Sequence, residues 1–140
     1  MARPIQEYAS DAIRVRFDPN RCIHAARCLM GDPEVFDVRR RRWVMPAAGD
    51  PGHIAAVIEE CPSGALTYER LDGGPQEEPD AAPSVQVVAN GPLAVRGRLT
   101  IADADGGEFD TGSRVALCRC GASENKPFCD NSHRAIRFVG

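Results

Sequence analysis

Apolar and polar residues alternate over Ile13-Arg-Val-Arg-Phe17, the period-two signature of a half-buried strand, and more weakly over Ala65-Leu-Thr-Tyr-Glu-Arg70. Between these stretches Ile54, Val57, Ile58 and Cys61 recur at the spacing that lines one face of a helix. Asp50 can cap that helix and Pro51 suits its first turn, so Cys61 is expected at its end, facing inward. Further along, 84–89 reads as a strand. So does 93–101, which sets Leu93, Val95, Gly97, Leu99 and Ile101 against Ala94, Arg96, Arg98 and Thr100. Asp105-Gly-Gly107 reads as a turn and 114–117 as another short strand. The pattern predicts an α+β chain whose second half is rich in strand.

Residues 72–83 carry three prolines and four acidic residues and have no apolar period, which is the composition of a linker. The expected organisation is a small domain over 1–71, a linker over 72–83 and a second small domain over 84–140. Domains of this size bury too little surface to be secure without staples. The six cysteines divide evenly across the linker, with Cys22, Cys28 and Cys61 before it and Cys118, Cys120 and Cys129 after it.

The first twenty residues lack the apolar core of a secretion signal, and no apolar run approaches the roughly 18 residues needed to span a bilayer. The chain therefore reads as cytoplasmic, with no membrane partner. In that reducing compartment the cysteines are expected to be metal ligands or redox thiols rather than disulfides. The net charge of −3, with both signs interspersed, supplies no basic field for nucleic acid.

Cys118-Arg-Cys120-Gly-Ala-Ser123-Glu-Asn-Lys-Pro127-Phe-Cys129-Asp-Asn-Ser-His133 places four soft or borderline ligands within sixteen residues. Two thiolates one residue apart suit one iron. Cys129 and His133, four apart, could share a helical turn and hold a second, completing a [2Fe-2S] rhomb. A Cys3His zinc site would use the same donors. The full spacing, C-x-C-x2-S-x3-P-x-C-D-x-S-H, resembles the CDGSH, or mitoNEET-type, iron–sulfur domain over residues 84–140. That resemblance implies Cys118, Cys120, Cys129 and His133 as [2Fe-2S] ligands, with Ser123, Pro127, Asp130 and Ser132 framing them. It also implies pairing as a homodimer. Asn131 stands where the family's name-giving glycine would be; Asn is the next best residue for a left-handed backbone, so the loop is expected to close. Lys126, the only lysine, reads as solvated or as a group that tunes the cluster.

Cys22-Ile-His-Ala-Ala-Arg-Cys28, followed after thirty-two residues by Cys61-Pro62, resembles a divergent single-cluster bacterial ferredoxin in which Ala25 replaces one ligand. Pro33-Glu-Val-Phe36 and Cys61-Pro-Ser-Gly-Ala65 extend the likeness over about residues 10–71. Three thiolates, Cys22, Cys28 and Cys61, imply a [3Fe-4S] cluster, or a [4Fe-4S] cluster whose vacant corner takes water, an external thiolate or His24. Away from that role His24 reads as solvent-facing, and His53 as a surface residue. Pro62 is expected to stop the helix after the last ligand. Arg39 to Arg42 read as a solvated loop or as a docking patch for an acidic redox partner.

These residues imply an electron carrier, not an enzyme: a ferredoxin module and a CDGSH module relaying single electrons between a reductase and an acceptor. The alternative is a protein that donates its His-ligated [2Fe-2S] cluster or senses redox state with it, since a protonatable imidazole makes that cluster the more labile. A structural zinc protein is the third class.

Overall fold

In the computed structural model the described residues are 3–140; Met1 and Ala2, at the head of the expected 1–71 domain, lie outside them. The chain forms two compact units. One contains the residues up to Asn20, His24–Cys61 and Ala65–Glu77, and the other Arg21–Ile23, Pro62–Gly64 and Glu78–Gly140.

In the first unit β1 (Gln6–Ala9), β2 (Ile13–Phe17) and β3 (Leu66–Arg70) form an antiparallel sheet in the order β1-β2-β3. The alternation of β2 works as expected: Ile13 and Val15 are fully buried, while Arg14 and Arg16 lie toward solvent. Helices α1 (Arg27–Gly31) and α2 (Pro51–Glu59) flank a single 3-10 turn at Pro46–Ala48. The Asp50 carboxylate accepts from the His53 backbone N–H at 2.9 Å, satisfying an end donor of α2. Ile54, Val57 and Ile58 then bury against Val35, Phe36, Val44 and Leu66, each contributing on the order of 1.5–3 kcal/mol. Trp43 closes the rim, edge-on to Phe17 with ring centroids 4.9 Å apart. The helix stops at Glu59, so Cys61 lies beyond its end; the chain turns before Pro62, with the Cys61 N–H donating to Ile58 O at 2.9 Å. β1 was not expected from the pattern.

In the second unit β4 (Ser84–Val87), β5 (Leu93–Arg96) and β6 (Arg114–Leu117) form an antiparallel sheet in the order β4-β5-β6. Its core is small: Val95, Val115 and Phe128, with Leu99, Ile101, Phe109 and Leu117 packed at the edge. The expected strand over 93–101 ends at Arg96, because Gly97 takes φ +102 and breaks the pleat. Its fit is tight as well, since a Cβ there would come within 2.7 Å of Pro83 Cα. Gly97→Ala should therefore destabilise the unit by about 1–3 kcal/mol from backbone strain, with steric cost on top. Gly106, at φ +89 with open space around it, supplies the control. Thermal unfolding should place Gly97→Ala clearly below Gly106→Ala; equal melting temperatures would show that the Pro83 approach costs nothing. Helix α3 (Ser132–Ala135) closes the unit. Both units together give an α+β protein, and among the described residues no helix is long and apolar enough to cross a membrane.

Candidate metal centre

Strand β6 delivers Cys118, and the returning segment delivers Cys129 beside it. The Cys118 N–H donates to Pro127 O and the Cys129 N–H to Ala116 O, both at 2.8 Å, with Leu117 and Phe128 bridged between them. Residues eleven apart in sequence are thus held on neighbouring backbone. Cys120 Sγ lies 3.9 Å from Cys118 Sγ, and His133 Nδ1 lies 3.4 Å from Cys129 Sγ. The four residues come together as two pairs. Among the described residues no three His, Cys, Asp or Glu side chains gather as one metal ion would need. Cys129 and His133 do not share a helical turn: α3 begins at Ser132, after Asn131 has reversed the chain at φ 75 and ψ 5. The left-handed backbone expected of Asn131 is present.

Each of the three sulfurs receives a backbone N–H. Gly121 donates to Cys118 at 3.3 Å, Ala122 to Cys120 at 3.4 Å and Asn131 to Cys129 at 3.4 Å. These donors, which side-chain spacing does not reveal, favour the anionic form of sulfur. Burial pushes the Cys118 thiol up, but the N–H groups of Ser123 and Gly121, with help from Cys120 and Lys126, hold it below its usual value. Cys129 is raised by burial and by the neighbouring charges of Cys118, Asp130 and Cys120, against the pull of the Asn131 N–H. His133 is only 9 % exposed, and burial, seconded by Arg134, lowers its pKa and keeps the imidazole neutral.

The loop between the pairs is held from within. The buried Ser123 hydroxyl donates to Phe128 O at 2.6 Å and accepts from the Asn125 N–H at 3.0 Å, while Lys126 Nζ donates to Ser123 O at 3.0 Å. Burial pushes the Asp130 carboxyl up, but the Ser132 hydroxyl and the N–H groups of Glu124 and Ser132 outweigh it and keep it ionised. Pro127 follows a cis peptide bond. Three thiols and a neutral imidazole, with N–H donors on every sulfur, are a donor set suited to an iron–sulfur cluster.

Of the other predicted residues, Cys28 lies in α1, Cys61 follows α2 and both pack against the N-terminal core; Cys22 is half-buried in the segment before α1. No cysteine is in a disulfide. Between Cys22 and Cys28 the backbone is left-handed at His24 (φ 55) and Ala26 (φ 61), conformations for which nothing in the residue types prepared the way. His24 is exposed. His53 is a surface residue whose Nε2 lies 3.1 Å from Gly31 O. The arginine run is largely engaged: Arg39 pairs with Asp37 and holds its carboxyl at about 2, Arg40 donates to the carbonyls of Glu34, Val35 and Trp43, and Arg42 lies over the Tyr8 ring.

Comparison with known proteins agrees with this chemistry. Residues 90–134 match the iron-binding zinc finger of CDGSH type, and residues 8–71 match the divergent 4Fe-4S mono-cluster family. The chain is an iron–sulfur protein that belongs to the divergent 4Fe-4S mono-cluster family and carries a CDGSH iron-binding domain after it. It is 38 % identical over 61 residues to the uncharacterized protein YjdI of Escherichia coli (strain K12), an alignment covering 44 % of this chain and 80 % of that protein. The YjdI protein of Escherichia coli O157:H7 matches to the same extent.

Proposed function

We propose that this protein is a two-cluster electron carrier rather than an enzyme, passing single electrons between a reductase and an acceptor protein. Cys118, Cys120, Cys129 and His133 hold a [2Fe-2S] cluster. Cys22, Cys28 and Cys61 hold a [3Fe-4S] cluster, with [4Fe-4S] as the alternative. The observation that carries the reading is the paired arrangement, Cys118 with Cys120 at 3.9 Å and Cys129 with His133 at 3.4 Å. A structural zinc needs all four donors on one centre, whereas each iron of a [2Fe-2S] rhomb takes two.

Bound there, the clusters supply one-electron oxidation and reduction. The chain's part is electrostatic and positional. The N–H groups of Gly121, Ala122 and Asn131 offset negative charge on sulfur, and Lys126 adds a cation felt at Cys118. His133, whose pKa burial lowers, offers a neutral imidazole nitrogen as a ligand. Cys118 borders an open groove of about 530 Å³ lined by Leu93, Ile101, Phe109 and Leu117, which leaves this edge of the site open to a partner.

Iron and sulfide analysis tests the assignment. The expected content is about five irons per chain, two plus three, or about six if the N-terminal cube is complete. An oxidised [3Fe-4S] centre has an odd electron count and gives a paramagnetic resonance signal, whereas oxidised [4Fe-4S] and [2Fe-2S] centres are silent. Six irons with a silent oxidised sample would select [4Fe-4S]; stoichiometric zinc without sulfide would defeat the proposal.

A further inference from the structure

We infer that Arg119 is a positioning residue for the C-terminal cluster, an inference that rests on Cys118 and Cys120 being its ligands. Arg119 stands between them, where the chain bends beyond β6, and its guanidinium extends to backbone outside the ligand loop. There it meets a turn far away in sequence. Nε donates to Gly91 O and Nη2 to Val88 O, both at 2.9 Å, and the guanidinium carbon lies 4.9 Å from the Phe138 ring centroid. The turn is itself secured: Gly91 N–H donates to Val88 O at 3.0 Å, Asn90 N–H to Gly140 O at 2.8 Å and Gly140 N–H to Asn90 Oδ1 at 3.1 Å.

A planar fork gripping two carbonyls and stacked on a ring fixes orientation as well as distance; an ammonium on a flexible stem fixes neither. Cys118 and Cys120 are the backbone neighbours of that anchor on either side. Tilting it would spoil the sulfur separation and the Gly121 and Ala122 N–H bonds that follow from it. Arg119 also carries a permanent positive charge on the residue next in sequence to both thiolates, which favours the more negative, reduced state and raises the potential.

The test uses full-length holoprotein carrying Arg119→Gln, Arg119→Lys or, as a control for charge removal, Arg98→Gln, whose side chain is exposed. The readouts are iron release to a ferrous chelator, the midpoint potential of the [2Fe-2S] visible band and the resonance signal of the reduced cluster. Arg119→Gln should release the C-terminal iron about 10–100-fold faster, the usual cost of losing a group that orients a ligand, and its potential should fall. Arg119→Lys should hold the potential near the parent's while still releasing iron faster, separating charge from geometry. The inference is overturned if Arg119→Gln behaves as Arg98→Gln does. If Arg119→Gln yields no soluble protein, Arg119→Lys decides: a parental release rate rejects the positioning role. A parent lacking the [2Fe-2S] signature would instead bring down the ligand assignment, and this inference with it.

Discussion

Cys61→Ser should erase the N-terminal cluster and leave the C-terminal one intact. The N-terminal set has only three sulfurs to begin with, and a serine hydroxyl is too hard and too weakly acidic to stand in for a soft thiolate. With Cys22 and Cys28 alone, no cluster of three or four irons keeps its ligation. The proposed C-terminal ligands lie in 118–133, and their backbone ladder, N–H···S bonds and Ser123 contacts all arise within the second unit. Iron should fall from about five per chain to about two, with the oxidised resonance signal lost and the [2Fe-2S] absorption retained. Disappearance of that absorption too would mean that the two centres assemble as one cooperative system.

His133→Cys should give the largest change at the other site. A neutral imidazole traded for an anionic thiolate makes the cluster more negative and its reduction harder. The expected fall in potential is on the order of 100 mV, in the direction set by the contrast between His-ligated Rieske centres and all-cysteine ones. Acid sensitivity should move as well. Iron competes with protons for the imidazole nitrogen, and burial lowers the His133 pKa, so the neutral form persists below the ordinary histidine range. The parent should keep its colour through neutral pH and lose it on acidification beneath that range. His133→Cys, with a metal-bound thiolate in place of the imidazole, should hold colour to lower pH still. Parent and variant bleaching together would place the acid-sensitive step elsewhere, and colour passing from the parent alone to an apo-ferredoxin would favour cluster donation over electron carriage.

Much of this was legible in the chain because the features concerned are local or strongly periodic. Asp50 caps α2, Ile13 and Val15 point inward from β2, and Asn131 takes the left-handed turn that its side chain tolerates. What escaped depends on partners distant in sequence or on elements too short to show a period. β1 buries only Tyr8 and is a strand by virtue of pairing with β2, whose own alternation is what reads clearly. Helices α1 and α3 have five and four residues, little more than one turn each, so no apolar face could announce them. The strand read through 93–101 failed at Gly97, where the alternation of residue types continued but the backbone did not. Arg40, in a run that reads as a solvated loop or a docking patch, is tied to backbone carbonyls, and so is Arg119; neither contact has a local signal in the sequence.

The ladder joining β6 to the segment around Phe128 also acts as a ruler, and that bears on how such a chain can change by insertion and deletion. Because the N–H groups of Cys118 and Cys129 are spent on Pro127 O and Ala116 O, the count of residues along β6 fixes both which side chains enter the core and where the sulfurs stand. A strand has a side-chain period of two, so gaining or losing one residue between Arg114 and Cys118 would turn Val115 out of the core and carry Cys118 off its mark in the same step. Lengthening the exposed turn at 103–107 should leave the sulfurs in place, while an insertion or deletion in 114–118 should displace them.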